Sequence, residues 1–119
     1  MSGARGRKSS SYSAEIAERI ADTMYALATP TRVQILACLL DGPHAVAELS
    51  ETLEIEQSAT SHQLRILRDH ALVRVERVGK QRVYSLYDDH VVELLEDAMH
   101  HVVQRDRSRK QIRVRLSSR

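Results

Sequence analysis

The stretch that decides the fold is residues 56–68, which read Glu56-Gln57-Ser58-Ala59-Thr60-Ser61-His62-Gln63-Leu64-Arg65-Ile66-Leu67-Arg68. Ala59, Leu64 and Leu67 are expected to face inward, so that the polar residues between them face outward at helical spacing. We therefore predict a short helix from about Gln57 to about His70. Its outer face carries amide, hydroxyl and guanidinium groups, which can reach base edges and phosphates in a nucleic acid.

The segments on either side of this helix complete a recognisable motif. A second short helix is predicted from about Ala45 to Leu53, and Ile55 fills the turn between the two, an arrangement that matches a helix-turn-helix. Downstream, residues 72–78 and 81–86 alternate apolar and polar side chains around Gly79-Lys80, which predicts a β-hairpin. This hairpin is interpreted as a wing beside the helix-turn-helix.

Three longer helices are predicted outside this motif. The first runs from Ala14 to Leu27, and the second starts at Thr29-Pro30, where Thr can cap a helix and Pro fits its first turn, and ends near Leu40. The last runs from Asp89 to about Gln104 and carries an apolar stripe wider than one small domain needs. We expect the first and last helices to form a homodimer interface, although packing of the stripe within its own domain stays open as an alternative. The predicted fold is mainly α with a small β-hairpin, an α+β winged helix-turn-helix.

Length and composition restrict the class of protein. A chain of 119 residues is expected to form one domain, and its core must be aliphatic because aromatic residues make up only 3%. No apolar run of about 18 residues and no signal peptide is found in the sequence, so a cytoplasmic protein without a membrane partner is predicted. The single cysteine, Cys38, cannot form an internal disulfide and is interpreted as a core residue rather than a redox sensor.

The charges are unevenly distributed along the chain. Residues 1–12 carry +3 and residues 105–119 carry +6, which leaves −7 on residues 13–104. Within that acidic body, residues 65–82 carry a local +4, which is typical of a nucleic-acid-binding face, although a solvated basic strand pair would look the same. Residues 1–12 are predicted to be a disordered basic tail, residues 13–104 the domain, and residues 105–119 a mobile basic tail.

The order and spacing of these segments resemble one family of bacterial regulators. Residues 56–68, followed by Leu72-Val73 and Tyr84-Ser85-Leu86, look like the recognition helix and wing of the ArsR/SmtB metal-responsive repressors, and residues 27–36 are similar to the family's second helix. The resemblance covers residues 14–104. It implies a dimeric, nucleoid-associated regulator that binds an inverted-repeat DNA operator in the major groove, most often as a repressor.

The candidate DNA contacts come from the helix and the wing. Gln and Arg side chains are the expected base readers, whereas Ser, Thr and His more often contact the backbone. Basic residues on the wing are expected over the phosphates or the minor groove. The predicted DNA-binding residues are Gln57, Ser58, Thr60, Ser61, His62, Gln63, Arg65, Arg77, Lys80 and Arg82.

The resemblance also implies a transition-metal site on the last helix. The family's thiolate site needs Cys-x-Cys in the helix before the recognition helix, and residues 44–49 contain no Cys. The alternative set corresponds to Asp88, His90 and His101, but Gln104 stands where the family has a fourth, imidazole ligand. His90 and His101 lie about 16.5 Å apart along a helix, so one ion needs ligands from two antiparallel chains. Nickel or cobalt is expected ahead of zinc, because they prefer higher coordination.

The residues bear on three other functions: a regulator without metal sensing, a protein-binding module and an enzyme. Gln104 favours a regulator of the same fold that has lost direct metal sensing and responds to a co-regulator protein or another ligand, in which case it could also activate. A winged-helix module for protein binding would need an apolar or acidic recognition face, which residues 57–65 do not provide. Enzymatic activity is not expected, because no nucleophile–base pair, phosphate-cradling glycine loop or catalytic carboxylate pair is present.

Overall fold

Five helices and a three-stranded sheet make up residues 13–117, the part of the chain that the computed structural model describes, with side chains described to residue 110. The elements follow in the order α1 (Ala14–Ala26), α2 (Pro30–Leu40), β1 (His44–Ala45), α3 (Val46–Leu53), α4 (Gln57–Asp69), β2 (Val73–Val78), β3 (Gln81–Leu86) and α5 (Asp89–Ser117). Helices α3 and α4 form the predicted helix-turn-helix, and β2 and β3 form the predicted wing.

Local capping explains where the outer helices begin. The Thr29 hydroxyl accepts a hydrogen bond from the backbone N–H of Arg32 at 3.3 Å, and Pro30 occupies the first turn of α2, where no amide partner is needed. Asp88 does the same for α5, because its Oδ1 accepts from the N–H of Val91 at 3.1 Å. These residues fix the orientation in which α2 and α5 leave the turns before them.

The hydrophobic core lies beneath the helix-turn-helix. Leu64 and Leu67 of α4 are fully buried, as is Leu49 of α3, so both helices of the motif are anchored in the same cluster. The other members of the cluster come from α1, α2, the turn before β2, the sheet and the first turns of α5; they are Ala26, Ile35, Leu36, Leu39, Leu72, Val73, Tyr84, Val91 and Leu95. Burial of these aliphatic groups is the main favourable term that holds α4 against the domain.

A third strand was not predicted from the sequence. His44 and Ala45 form β1, which pairs antiparallel with Tyr84 and Val83 of β3, so the strand order is β1-β3-β2. Two residues are too short to show the period-two alternation that identifies a strand. Strand β1 connects the segment before α3 to the wing, so the wing and the helix-turn-helix are held in one unit.

The last helix is longer than predicted. The expected boundary at Gln104 is wrong for the backbone, because α5 continues to Ser117. Residues 105–117 show no apolar period, but they contain neither Gly nor Pro and are rich in Arg, Lys and Gln, which favour a helix once it has been nucleated. The predicted tail of residues 1–12 and residues 118–119 lie outside the described residues. No helix in the described part of the chain is long and apolar enough to cross a membrane.

Candidate nucleic-acid interface and metal ligands

The outer face of α4 is polar and open to solvent. Gln57, Ser58, Ser61, His62 and Arg65 are all exposed, as their spacing predicts. They share a face because the buried residues of α4 lie on its opposite side, against the core. This face offers amide, hydroxyl, imidazole and guanidinium groups from one rigid helix.

The inward residues of α4 differ from the prediction at one position. Ala59 is exposed, whereas Thr60, a predicted DNA contact, is fully buried. Leu64 is five positions after Ala59, which places the two on different faces of a helix, whereas Thr60, Leu64 and Leu67 follow the four- and three-residue steps of one face. The Thr60 hydroxyl donates to the carbonyl of Glu56 at 3.1 Å and accepts from the hydroxyl of Ser50 at 2.9 Å. Thr60 therefore joins α4 to α3 and does not reach DNA.

Replacing Thr60 by Val is expected to lower the free energy of unfolding by about 1 kcal/mol, because the hydrogen bond with Ser50 is lost inside the motif. Urea denaturation followed by circular dichroism measures this loss. Thr52→Val on the exposed face of α3 is the matched control, with no expected change. Equal stability of the two variants would contradict a structural role for the Thr60 hydroxyl.

Gln63, another predicted DNA contact, is half-buried on a flank of α4. Its Oε1 accepts a hydrogen bond from Nη1 of Arg32 at 3.0 Å, so this oxygen is engaged with Arg32 and the amide NH₂ group is available as a donor. Sequence reasoning missed Arg32, although it lies on the buried stripe that it forms with Ile35, Leu36 and Leu39 at helical spacing.

The wing carries cations that face each other. Arg77 and Arg82 are directly opposite across the β2–β3 pair, and both are exposed, as is Lys80. Like charges at opposed positions destabilise a hairpin. The one ion pair found in the described residues joins His90 to Asp88, so neither wing arginine has a carboxylate at ion-pair distance. A wing of this kind is suited to an anionic partner.

Two grooves connect α4 to the wing. One, of about 460 Å³, lies between Gln57, Ser58 and Ser61 on one side and Lys80 and Arg82 on the other. A second, of about 390 Å³, is lined by Ser61, Arg65, Arg68 and Arg82, among others. Because Ser61 and Arg82 border both grooves, the outer face of α4 and the wing form one continuous surface that carries the polar side chains of α4 and the basic side chains of the wing. We call it the reading face.

The four predicted metal ligands lie at the two separated regions that helix geometry predicts. Oδ2 of Asp88 is 3.6 Å from Nδ1 of His90, and both side chains are accessible at the start of α5. His101 and Gln104 are both exposed, about three turns further along α5. Nε2 of Gln104 donates to a ring nitrogen of His100 at 3.3 Å. Among the described residues, no group of three or more His, Cys, Asp or Glu side chains is close enough to hold a metal within one chain.

An apolar groove of about 530 Å³ lies between α1, α2 and α5. Its lining is almost entirely hydrocarbon, and its residues are Met24, Leu27, Val33, Ala37, Leu94, Leu95, Asp97, Ala98 and Met99. Met99, Val102 and Val103 of α5 are about half exposed beside it. We call this surface the apolar face. His101 follows Leu94 and Ala98 at helical spacing, so it lies at the border of this face.

Cys38 is half-buried on α2 and packs against the core cluster, in agreement with its interpretation as a core residue. Burial raises the pKa of its thiol, and the nearby carboxylate of Asp41 raises it further. The thiol therefore stays protonated at neutral pH, which is the less reactive form.

Comparisons with known proteins agree with these features. Residues 29–75 match the family described as bacterial regulatory protein, arsR family. The HTH-type transcriptional regulator NmtR of Mycobacterium tuberculosis is 48% identical over 97 residues, which cover 82% of this chain and 81% of NmtR. The transcriptional repressor SmtB homolog of Synechocystis is 38% identical over 90 residues, which cover 76% and 68% of the two chains.

A solved structure extends the likeness to the fold. The homodimeric winged helix-turn-helix DNA-binding domain from Mycobacterium bovis superposes with a TM-score of 0.70 at 28% identity, covering 78% of this chain and 84% of that one. The fold class predicted from the sequence is thereby confirmed, and so is the prediction of a regulator rather than an enzyme. The chain belongs to the ArsR/SmtB family of winged helix-turn-helix transcriptional regulators.

Proposed function

We propose that this chain is a homodimeric repressor that reads an inverted-repeat DNA operator and releases it in response to nickel or cobalt, with zinc as the next candidate. The observation that carries the proposal is the reading face, where the exposed polar side of α4 adjoins a wing with the opposed Arg77 and Arg82. Helix α4 would enter the major groove, and the wing would lie along the phosphates. The name of the Synechocystis relative, a repressor, supports the sign of regulation.

The apolar face supports the dimer. A soluble domain rarely leaves so much connected hydrocarbon exposed without a partner to cover it. One helix-turn-helix contacts few base pairs, whereas two copies related by a two-fold axis read an inverted repeat. The solved Mycobacterium bovis relative is homodimeric, which is consistent with this assembly.

The donor set fits a transition metal shared between two chains. Asp88 and His90 are adjacent and accessible, and His101 is accessible at the other end of the predicted contact. One carboxylate and two imidazoles suit nickel, cobalt or zinc, and the Gln104 amide oxygen or water would complete the coordination. A bound ion would supply a cross-link between the two α5 helices.

One observation favours a second candidate function. The side chain of Gln104 is bonded to His100, so in this arrangement it is engaged within its own helix. A regulator of the same fold that answers to a co-regulator protein or to another ligand, and that could activate, would have no need of Gln104 as a ligand.

One binding experiment separates the two candidates. A duplex is first selected from random-sequence DNA by the wild-type chain, and its affinity is then measured by fluorescence anisotropy with and without nickel, cobalt and zinc salts. The proposal expects a selected inverted repeat and a fall in affinity with nickel or cobalt. Tight binding to the selected duplex that no metal changes would favour the second candidate.

Replacing Arg82 by Ala is expected to weaken binding to selected and scrambled duplexes alike, because a wing cation contacts phosphates and not bases. Because a dimer carries two wings, the slope of log affinity against log salt should become shallower by about two. Arg19→Ala, an exposed arginine on α1, is the matched control and should leave the slope unchanged. A loss confined to the selected duplex would instead identify Arg82 as a base reader.

A further inference from the structure

Arg32 is the only charged side chain in the described residues that is buried, with 6% of its surface exposed. It lies in the first turn of α2, beneath the reading face, and the proposed contacts with DNA do not use it. A buried guanidinium is costly unless each side of its donor fork finds an acceptor. The hydrogen-bond acceptors around Arg32 therefore indicate its role in the fold.

The guanidinium connects three helices. Its Nε donates to the carbonyl of Ala26 at 2.6 Å, and its Nη2 donates to the carbonyl of Tyr25 at 3.2 Å, at the C-terminal end of α1. Its Nη1 donates to Oε1 of Gln63 on α4 at 3.0 Å. The Tyr25 carbonyl also accepts from the backbone N–H of Ala28 at 3.0 Å. Carbonyls at the C-terminal end of a helix carry partial negative charge, so they are good partners for a cation.

We propose that Arg32 is a positioning residue for DNA reading: it fixes α4 and the amide of Gln63 relative to the end of α1 without touching DNA itself. A guanidinium only donates, so the bond holds the oxygen of Gln63 inward and leaves its NH₂ group as the outward-facing donor. That donor would select an acceptor on the DNA. The inference rests on the proposed function, since it assigns the part that holds the reading face in place.

The location of α1 gives this contact a second consequence. Met24 and Leu27, beside the two carbonyls that Arg32 binds, line the apolar face with α5. A shift of α1 in the dimer would therefore be passed through Arg32 to Gln63 on α4. This connection runs through α1 and α2 and does not involve the predicted metal ligands.

The test measures specificity and folding separately in the full chain. The variants are Gln63→Met, which removes the acceptor, Gln63→Glu, which keeps it, Arg32→Lys, and the double variant Arg32→Lys with Gln63→Met. Lysine has no planar fork and cannot span the three acceptors. The readout is the ratio of affinities for a duplex selected by the wild-type chain and for its scrambled version. Gln34→Met, on the exposed side of α2, is the matched control, and thermal unfolding reports stability.

We expect Gln63→Met and Arg32→Lys each to lower this ratio by about tenfold, as the loss of a charge-assisted hydrogen bond predicts. The double variant should be little worse than either single one, because the two groups act as one contact. Gln63→Glu keeps the acceptor for Arg32 but has no NH₂ donor, so it should lower the ratio while thermal stability stays at the wild-type level. An unchanged ratio with reduced stability would show a merely structural role and overturn the inference. So would a loss in Gln63→Met with an unchanged ratio in Arg32→Lys, which would mean that Gln63 contacts DNA without being positioned by Arg32. A wild-type chain that selects no duplex would overturn the proposed function itself.

Discussion

A glutamate in place of Ala98 is expected to convert the dimer to monomers and to lower affinity for the selected duplex by about a hundredfold or more. Ala98 lines the apolar face between Leu94 and Met99, and it is exposed in the single chain. The substitution therefore leaves the monomer fold intact, but it buries a carboxylate in hydrocarbon when two copies meet. A two-fold axis places the change on both sides of the contact, which doubles its cost.

Two measurements test this prediction. Sedimentation velocity gives the assembly state, and anisotropy on the selected duplex gives the affinity. Thr52→Glu, which adds the same charge to an exposed position on α3, should remain dimeric. A dimeric Ala98→Glu variant with normal affinity would show that the two copies meet elsewhere, and the apolar face would then need another occupant.

The second large effect is expected at His101, where Ala should abolish the response of DNA binding to nickel or cobalt. His101 is one of three strong donors in the predicted set, and a site left with one carboxylate and one imidazole from protein would bind the metal far more weakly. Affinity for the selected duplex without metal should be unchanged, because His101 lies on α5 and outside the reading face. Calorimetric metal titration together with anisotropy measures both quantities.

His100→Ala is the matched control for this prediction. The two histidines are neighbours on α5 and both are exposed, but His100 bonds to Gln104 within its own helix. It should therefore keep the metal response, and freeing Gln104 should not weaken it. Loss of the response in His100→Ala, with retention in His101→Ala, would assign the ligand to the other histidine.

Helical periodicity predicted most of the fold. The wrong inward residue on α4 arose where residue type was followed instead of the period. The polar face of α4 was predicted correctly because Leu64 and Leu67 fix the inward direction, and residues on the other side must then be exposed. Ala59 was wrongly placed inward because alanine is apolar, whereas position in the helical repeat favours Thr60. Once its hydroxyl finds Ser50 and the Glu56 carbonyl, Thr60 tolerates full burial.

Features that depend on contacts distant in sequence could not be predicted. Arg32 and Gln63 are 31 residues apart, and nothing in either local sequence indicates that they bond. Strand β1 exists only because β3 offers it a hydrogen-bonding edge. The metal site depends on a second copy of the chain. Within one chain, both the sequence pattern and the structure give two separated pairs of candidate ligands, Asp88 with His90 and His101 with Gln104.

The opposed arginines of the wing affect the stability of the hairpin when no DNA is bound. Without DNA, the like charges of Arg77 and Arg82 at opposed positions make the β2–β3 pair less stable than a neutral pair would be. Phosphates placed between the cations would offset that repulsion, and part of the binding free energy would then come from relief inside the protein rather than from new contacts. The end of the wing would be loosest in the unbound molecule and would tighten as the complex forms.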